Sequence, residues 1–562
     1  MKQQTGKAVA IALLAAQIAL CLLGVRSSSP TVDEPAHIAR GYHYLVTGEL
    51  SLDLSPPLIN VLSALPVLLH KGVIIPPPDP MHGFSITDFA NRFVWVYNDA
   101  ETIVNSARLT TIFLSVVLAY FVLRWAWQLW GMPAGLMALF LYALDPNILA
   151  HSQLATTDLG VTCFIFIASY FLWRFLRSRR NADLVLAGVL LGLAQAAKFS
   201  ALILIPVFGI VVLGEAFLVR DWTLHGRWPW QERLTRGRRA RAIYFCCAIL
   251  VVVLGLSLLS LWASYRFGMA PLLPRSVQAI LDRLVSHPLL QDALERHAVP
   301  LSSYLRGLRW MQRRSERTAP GFFMGEYSGQ GWWYYVLAAF VFKTPIPTLA
   351  LLAISAFLTL RCLRSGMRRR EYILWLPVLG FLLATMVFHS LQPSYRHILP
   401  LLPFAFVLCS RAIHWQQSRA GRVALVALAL WYVAGTMRIY PHCLAYFNEF
   451  VGGPDHGYEY LVGSNLDWGQ DLKNLELYMD RRGFDKVYLA YYGSAHPDYY
   501  GIQALPLPAD GPPAVPDPTA LYAVSVTYLQ GSYLDNPENF AWLRNYAPVG
   551  KIGHSIFVYH LE

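Results

Sequence analysis

Two adjacent carboxylates open the first polar loop of the chain, directly after its first apolar stretch. They are Asp33 and Glu34. On a helix that begins here, spacings of four, three and four residues put His37, Arg40 and Tyr44 on the same face as Asp33. Carboxylates beside an apolar segment are costly unless they are used. A carboxylate in this position can take the proton of a hydroxyl group.

Another two acidic residues, Asp145 and Asp158, lie between two later apolar stretches. Both also fit a structural role, because an aspartate at a helix N-terminus caps the helix and interacts favourably with its dipole. The same holds for the first pair, since Thr31 and Glu34 match a capping box. The sequence alone leaves both interpretations open.

Positive charges stand at the ends of three other apolar stretches. They are Lys198, Lys343 and the pair Arg396 and His397, which follows Tyr395. Each one taken singly fits a side chain that extends from the apolar layer towards water. Taken together they suit a phosphate group, because lysine offers a compact positive charge and arginine can donate two parallel hydrogen bonds to phosphate oxygens.

Carboxylates and cations of this kind complement each other chemically. Displacing a lipid phosphate from a sugar C1 by an acceptor hydroxyl needs a carboxylate that accepts the hydroxyl proton. It also needs cations that stabilise the departing phosphate. The sequence supports this chemistry if the two sets of residues meet on one side of a membrane.

The composition requires a membrane as the solvent of these elements. The 562 residues are 55% hydrophobic and only 14% charged, with a mean hydropathy of +0.40, which is more apolar surface than a soluble domain can bury. The net charge of +12 does not indicate a nucleic-acid partner, because the arginines cluster between apolar stretches. Of the seven cysteines only Cys443 falls clearly in an outer segment, so no disulfide framework is expected.

About eleven stretches are long and apolar enough to predict transmembrane helices. The fifth and sixth form one apolar run, which we divide at Lys198 because a lysine at mid-membrane costs about 3 kcal/mol. The expected spans are residues 8–25, 102–123, 132–150, 158–175, 183–198, 200–217, 242–264, 334–360, 372–389, 397–414 and 422–440.

The distribution of arginine sets the expected orientation. Basic clusters mark alternate loops as cytoplasmic, and they lie at 174–180, 233–241 and 361–370. The N-terminus is then cytoplasmic and the first stretch is an uncleaved span. The segments expected to face outwards are 26–101, 265–333, 390–396 and everything after residue 440. The short loops suit a bacterial inner membrane.

Residues 441–562 differ in character from the transmembrane module, residues 1–440. Turns rich in Pro, Gly and Asn separate strand-like runs, which follow a helix-like segment at 472–482. The three runs are 486–492, 520–527 and 555–560. We therefore predict an α-helical polytopic membrane protein with a small extracytoplasmic α/β domain at its C-terminal end.

Two polar segments outside the spans have open interpretations. Ser464 to Asp471 fits either a helix cap or a sugar-binding segment with Trp468 as a stacking platform. Arg306 to Arg317 fits either an amphipathic helix on anionic lipid or a helix with a solvated face.

The order of these motifs resembles glycosyltransferase family 39. These GT-C type membrane enzymes include protein O-mannosyltransferases and lipid A aminoarabinose transferases. The matching parts are Asp33 with Glu34, Asp158 at the start of a span, Lys198 in an outer turn, and Arg396 with Leu399 and Pro400. The resemblance covers residues 8–440. The chain departs from the family in having no recognisable inserted repeat domain, and in His397, where a tyrosine is common.

The resemblance implies a GT-C fold and an inverting transfer from a polyprenyl-phosphate sugar to an acceptor hydroxyl. Asp33 would be the catalytic base, and Glu34 and Asp158 would place the acceptor or a divalent cation. The residues that would hold the carrier phosphate are Lys198, Lys343 and Arg396. The neighbouring residues expected to bind substrate are His37, Arg40, Tyr395 and His397. The sugar and the acceptor stay undefined.

Three other functions are compatible with the sequence. An oligosaccharide polymerase or ligase would share the outer-face chemistry but use a diphosphate-linked donor. A transporter of lipid-linked sugars would carry a charged residue at the membrane midplane, and Lys343 is the nearest candidate. A non-catalytic scaffold predicts that Asp33 can be replaced without effect.

Overall fold

The chain is mainly α-helical and carries one mixed β-sheet near its C-terminal end. The computed structural model describes residues 3–50, 55–77, 85–218, 238–270, 299–315, 321–364, 371–387 and 394–561. Parts of the expected inner loops at 233–241 and 361–370, and of the expected outer turn at 390–396, lie outside the described residues.

Within these ranges, six helices are long and apolar enough to cross a membrane, or up to eight if each of two bent helix pairs is one span. The six are Gln4–Ser27, Ala100–Trp130, Thr157–Ser178, Ile243–Ser264, Tyr395–Gln417 and Arg419–Ile439. The bent pairs are Met132–Ala143 with Pro146–Ser152, at 63°, and Tyr335–Lys343 with Ile346–Arg361, at 112°. The expectation of a multi-pass membrane protein is confirmed.

Shorter apolar helices occupy the other three expected spans. They are Asn181–Ala197, Phe199–Glu215 and Tyr372–Val387. A fourth short apolar segment, Leu58–Leu69, belongs to the first outer loop. Because these helices have only 10 to 17 residues, the total of eleven spans stays a prediction.

Prolines and polar residues fix the breaks between helices. Pro345 disfavours a helical conformation at the residue before it, and Thr344 is extended, with φ −86° and ψ 131°. The chain therefore bends by 112° within the expected span 334–360, which takes the form of a broken span or a re-entrant loop. Lys198 is also extended, with φ −161° and ψ 144°, and ends the helix before it where the sequence predicts a break.

The segment 26–101, which is expected to face outwards, contains the helix predicted after Asp33. It is Glu34–Thr47, and Pro35 suits its first turn, where no N–H group is needed. Gly48 ends the helix in the left-handed conformation, with φ 78°. Two further short helices, Leu58–Ala64 and Ile86–Asn91, pack against it. This packing fixes the direction in which the start of the helix points.

The arginine-rich segment also forms a helix, Ser302–Ser315. Leu308 and Met311 pack into a cluster with Phe199, while Trp310 is 41% exposed. Residues 316 and 317 of the segment lie outside the described residues. Contact of this helix with anionic lipid stays a prediction.

The C-terminal part of the chain forms a five-stranded sheet with the helix Leu472–Arg482. In spatial order the strands are Gln503–Pro506, Lys486–Ala490, Leu521–Ser525, Ile556–Tyr559 and Gly550–Ile552. The second strand in this order pairs in parallel with both neighbours, and the fourth pairs antiparallel with both of its neighbours. The predicted helix and the three predicted strands are present. Two smaller antiparallel pairs are Met269–Ala270 with Val299–Pro300 and Gly321–Phe323 with Glu326–Ser328.

The sheet and the first outer loop share one hydrophobic core. Leu475, Val487 and Val558 from the C-terminal part belong to the same buried cluster as Ile38 and Ile103. Burial of such side chains is the main favourable term in folding. The C-terminal part is therefore fixed against the loop that carries Asp33.

Candidate active site

Asp33 stands at the N-terminal end of the helix Glu34–Thr47 and pairs with Arg396. Its Oδ2 accepts a hydrogen bond from Nη1 of Arg396 at 2.9 Å, and its side chain is 37% exposed. Partial burial raises the pKa of this carboxyl group, but the charge and the hydrogen bond of Arg396 outweigh that effect and hold the pKa below its usual value. Asp33 is therefore an ionised, accessible carboxylate.

Arg396 connects Asp33 with a second carboxylate, Asp158. It lies at the start of the 3₁₀ helix Tyr395–Leu401, and its Nη1 is 3.8 Å from Oδ2 of Asp158. Lys198 approaches the other oxygen of Asp158, with 2.6 Å between Nζ and Oδ1. Opposite charges thus alternate along these four residues, which we call the charged cluster. The structure brings together two carboxylates and two cations that the sequence assigns to the site.

The backbone around Asp158 favours a negative charge as well. Asp158 lies in the first turn of the helix Thr157–Ser178, where the helix dipole stabilises an anion. The side chain at the N-cap position, Thr156, makes no capping hydrogen bond, and Asp158 is turned towards the two cations. The capping interpretation therefore does not describe this residue.

Glu34 has a different role from its neighbour Asp33. Its two oxygens face the guanidinium group of Arg108, with Nε–Oε1 and Nη2–Oε2 distances of 2.8 Å, and both side chains are fully buried. The carboxylate also accepts the backbone N–H groups of Thr31 and Ala155, each at 2.8 Å. Its acceptor positions are filled. The expected contact of Glu34 with the acceptor or a metal ion is corrected accordingly: Glu34 anchors the loop on which Asp33 stands.

Arg108 is a site residue that the sequence interpretation missed. It also donates to the backbone carbonyls of Val25, Ser28 and Ser29, which join the first span to the loop. The signal was present, because Arg108 lies inside the apolar 31-residue helix Ala100–Trp130. A charged residue inside a span usually has a partner or a function.

The residues that follow Asp33 on its helix face lead to a small cavity. His37 Nδ1 lies 2.8 Å from Oδ1 of Asn60. Burial and the charge of Arg40 lower the pKa of His37, so its imidazole is neutral at neutral pH. Arg40 and Tyr44 line a small pocket beside Asn60. The common face expected from the spacing is present.

Lys343 does not reach the charged cluster. Its ammonium group donates to the backbone carbonyls of Leu444 and Tyr446, at 3.0 and 2.9 Å, and to that of Asn465. The residue is only 2% exposed. All of its protons are used within the protein, so the expected contact with the carrier phosphate is corrected to a structural one.

Tyr395 and His397 flank Arg396 in different surroundings. Tyr395 is buried, with its hydroxyl 3.1 Å from Oγ1 of Thr344, and its N–H donates to Oδ1 of Asn465 at 2.9 Å. Tyr395 therefore positions the start of its helix instead of contacting a substrate. His397 is only partly buried and stays a predicted substrate contact.

A segment from the C-terminal part of the chain completes the site. Trp468 lies over Arg396, with 4.3 Å between Cζ of the arginine and the ring centroid. Only 2% of Trp468 is exposed. The N–H groups of Val32 and Ser29 donate to the carbonyls of Trp468 and Gln470, at 3.0 and 2.9 Å. Trp468 thus supports Arg396, and its expected role as an open stacking platform is wrong.

Asp467 and Asp471, in the same segment, are buried. Neither side chain caps the following helix, so the helix-cap interpretation of the segment does not apply. Burial raises the pKa of Asp467 to about 7. Asp471 contacts His442 Nδ1 at 3.2 Å and accepts from Ser555 Oγ at 2.7 Å. Burial raises the pKa of Asp471, but His442 outweighs that effect and lowers it. These contacts join the sheet to the site.

Several buried polar atoms near the charged cluster have no hydrogen-bond partner among the described residues. They are Asp158 Oδ2, Arg396 Nε, His151 Nδ1 and Thr156 Oγ1. The His151 ring lies 6.4 Å from that of Trp468, and it interacts electrostatically with Asp158. Buried polar groups are rarely left unsatisfied. These atoms therefore indicate a place for a polar ligand or water.

The described residues do not fit a divalent cation. No group of three or more His, Cys, Asp or Glu side chains among them could hold a metal ion. Asp33 and Asp158 both face Arg396, and Glu34 faces Arg108.

Comparison with known proteins finds a family model that matches part of the chain. The model of the dolichyl-phosphate-mannose-protein mannosyltransferase family matches residues 100–236. The resemblance to GT-C type glycosyltransferases is confirmed. The matched segment includes Arg108, Asp158 and Lys198, whereas Asp33 and Arg396 lie outside it. A search of curated proteins gave no match.

The solved structures that match the chain have low sequence identity to it and TM-scores below 0.5. ArnT from Cupriavidus metallidurans bound to undecaprenyl phosphate is 10% identical, with a TM-score of 0.47 over 98% of this chain and 97% of that one. The Archaeoglobus fulgidus oligosaccharyltransferase in its apo form is 14% identical, with a TM-score of 0.42 over 90% of this chain and 60% of that one. The protein O-mannosyltransferase complex of S. cerevisiae bound to its sugar donor is 16% identical, with a TM-score of 0.33 over 48% of this chain and 36% of that one.

Proposed function

We propose that this protein transfers a sugar from a polyprenyl-phosphate carrier to an acceptor hydroxyl, with inversion at C1 and Asp33 as the general base. The observation that carries the proposal is the 2.9 Å pair of Asp33 with Arg396, beside the 2.6 Å pair of Lys198 with Asp158. A base and phosphate-binding cations are thereby within one site. The family match over residues 100–236 supports glycosyl transfer from a lipid-linked donor.

Asp33 suits the role of a general base. Its pKa lies below the usual value, so it is ionised at neutral pH, and its partial exposure leaves an oxygen accessible to an acceptor. As the acceptor oxygen attacks C1, the hydroxyl proton passes to Asp33. Attack from the side opposite the carrier phosphate inverts the configuration at C1.

Arg396 and Lys198 suit the departing phosphate. Nε of Arg396 has no hydrogen-bond partner among the described residues, and Lys198 donates only one hydrogen bond there, to Asp158. Both cations therefore keep donors for phosphate oxygens while the carboxylates hold them in place. The C1–O bond breaks with its electron pair passing to the phosphate, and the fixed positive charges stabilise the product.

The polar residues around this pair complete the proposed substrate site. His37 and Arg40 lie on the helix that begins after Asp33, and His397 adjoins Arg396. We assign these three to the sugar and phosphate of the donor. We place the reaction on the outer face of a bacterial inner membrane, with the N-terminus in the cytoplasm and residues 441–562 outside, because the basic loops lie between alternate spans.

The experiment is transfer of radiolabelled sugar by the purified protein in lipid nanodiscs. The donors are a panel of polyprenyl-phosphate sugars that begins with dolichyl-phosphate mannose, the donor in the name of the matching family. Wild type is compared with Asp33→Asn and with Asp485→Asn, a control at an exposed position. We expect Asp33→Asn to bind donor but to lose transfer, and Asp485→Asn to behave as wild type.

The other outcomes are equally informative. Full activity of Asp33→Asn contradicts the assignment of the base. Transfer from diphosphate-linked donors alone favours a polymerase or ligase. Movement of a lipid-linked sugar across the bilayer without transfer favours a transporter.

A further inference from the structure

Two tyrosines from the C-terminal part of the chain stand beside the charged cluster. The rings of Tyr492 and Tyr533 stack, with centroids 5.2 Å apart and planes inclined by 5°. Both residues interact electrostatically with Asp33 and with Arg396. Tyr492 also packs in one hydrophobic cluster with Val32, which precedes Asp33, and with Trp468, which covers Arg396. The stacked pair is therefore close to the carboxylate that we propose as the base.

The pair presents an open aromatic surface. Tyr533 is 50% exposed. Tyr492 is held from another side by Tyr528, whose ring meets it edge to face at 5.7 Å. Trp468, in contrast, is covered by Arg396 and is only 2% exposed. Tyr533 is thus much more exposed than Trp468.

The backbone is shaped to present this ring. Tyr533 has a φ of 61°, a left-handed conformation that side chains other than Asn and Asp rarely adopt. Gly463 faces it, and a Cβ atom there would lie 3.4 Å from the Tyr533 ring. A Cβ at Gly531 would overlap the carbonyl oxygen of Pro537, at 2.3 Å. Conformations of this kind cluster at ligand sites.

The chemistry of this surface fits a sugar ring. A flat aromatic face offers apolar contact to the C–H face of a pyranose, and the tyrosine hydroxyls at its rim can exchange hydrogen bonds with the sugar hydroxyls. A peptide acceptor would instead be recognised by hydrogen bonds between its backbone and polar groups of the protein. The stacked tyrosines offer rings and hydroxyl groups.

Resting on the glycosyl transfer proposed above, we infer that Tyr492 and Tyr533 form the acceptor subsite and that the acceptor is a carbohydrate. Its ring stacks on Tyr533 and one of its hydroxyls faces Asp33. That hydroxyl oxygen forms the new bond to C1 of the donor sugar. Its proton goes to Asp33, and the carrier phosphate leaves with the electron pair of the broken C1–O bond. The product is a glycan extended by one sugar.

The binding test uses saturation-transfer NMR on the purified protein in nanodiscs. The probes are methyl mannopyranoside, methyl glucopyranoside and methyl arabinopyranoside, and an acetylated Ala-Ser-Ala amide represents peptide acceptors. In the wild type we expect saturation of sugar ring protons. Tyr533→Asn, which removes the ring but tolerates the left-handed backbone, should weaken this binding about tenfold, as loss of one aromatic stacking contact predicts.

Two further variants separate the ring from the hydroxyl and from general damage. Tyr533→Phe keeps the ring and should retain most of the binding. Tyr546→Asn removes another exposed tyrosine, whose ring packs on Trp542, and should leave the binding unchanged. Saturation of the peptide in place of the glycosides, or unchanged binding by Tyr533→Asn, overturns the inference.

A kinetic test distinguishes failure of the subsite from failure of the reaction. Release of sugar from the donor to water needs Asp33 but no acceptor. We expect Tyr533→Asn to keep this hydrolysis at the wild-type rate while its KM for a glycoside acceptor rises about tenfold. A wild type that neither transfers sugar to an acceptor nor releases it to water from any donor contradicts the proposed function. Normal release together with an unchanged acceptor KM in Tyr533→Asn contradicts the subsite alone.

Discussion

Trp468 covers the guanidinium group of Arg396, with 4.3 Å between Cζ and the ring centroid. One residue belongs to the C-terminal part of the chain and the other to the end of a membrane span. Their contact means that the C-terminal part takes part in the geometry of the charged cluster. The guanidinium group of Arg396 thus contacts both the Trp468 ring and the Asp33 carboxylate.

Replacing Trp468 tests this dependence. A cation–π contact contributes about 0.5–2 kcal/mol, so Trp468→Leu should lower the rate of sugar transfer by about twofold to thirtyfold. Trp468→Phe keeps an aromatic face and should lose less. Steady-state rates in nanodiscs measure both effects. Equal rates for the two variants would mean that the ring does not hold Arg396.

Arg396 controls the ionisation of Asp33, and this predicts a change in pH dependence. In the proposed reaction the carboxylate form of Asp33 is the base, so activity should be present above its pKa and be lost as the pH falls through it. In the wild type this pKa lies below the usual value because Arg396 outweighs partial burial. In Arg396→Gln the effect of burial remains without the cation, so the acid limb of log kcat should move to higher pH.

The pH at which the acid limb falls is the quantity to measure. The rate itself is not informative, because Arg396→Gln also loses a proposed ligand of the departing phosphate and should be slower at every pH. His37 adds a smaller lowering effect on the pKa of Asp33, so His37→Gln serves as a comparison. We expect it to move the limb in the same direction but less. An unmoved limb in Arg396→Gln would show that a different group titrates.

Local patterns in the sequence predict much of the fold. The break at Lys198 follows from the cost of a lysine within the membrane, and the helix Leu472–Arg482 follows from its apolar spacing and the glycine after it. The strand Gln503–Pro506 has only four residues and Gly550–Ile552 only three, so neither gives an alternating pattern long enough to recognise.

The site is predicted less completely, because its pairs join distant parts of the chain. Asp33, Asp158, Lys198 and Arg396 stand out as charged residues at span ends. Their pairing, however, is set by the packing of four separate segments. Arg108 and Trp468 acquire their roles only from partners that are remote in sequence. In the sequence Lys343 resembles a phosphate ligand. The backbone carbonyls that it contacts belong to residues 444, 446 and 465, which local sequence patterns cannot connect with it.

Lys343 is expected to stabilise the junction between the spans and the C-terminal part. Lys343→Met leaves the carbonyls of Leu444, Tyr446 and Asn465 without this donor. Each unsatisfied buried group costs about 1–3 kcal/mol, so thermal unfolding should begin at a clearly lower temperature. Proteases should also cut more readily between residues 441 and 471.

Lys473 offers a control for this experiment. It pairs with Glu101, and both side chains are partly exposed. Because exposed ion pairs contribute about 0–1 kcal/mol, Lys473→Met should unfold close to the wild-type temperature. If Lys343→Met is as stable as this control but binds donor more weakly, the phosphate contact first expected for Lys343 is the better interpretation.

The buried pair of Glu34 and Arg108 separates an anchoring role from a catalytic one. Glu34→Gln or Arg108→Met alone leaves one buried charge without its partner, which costs about 3–5 kcal/mol. Replacing both removes the unpaired charge, so Glu34→Gln/Arg108→Met should be more stable than the sum of the single changes predicts. Unfolding of all three variants in nanodiscs measures this coupling. If Glu34 only anchors the loop, activity should return with stability in the double variant. If activity stays absent although the double variant folds and binds donor, Glu34 contacts the substrate, and the anchoring role is wrong.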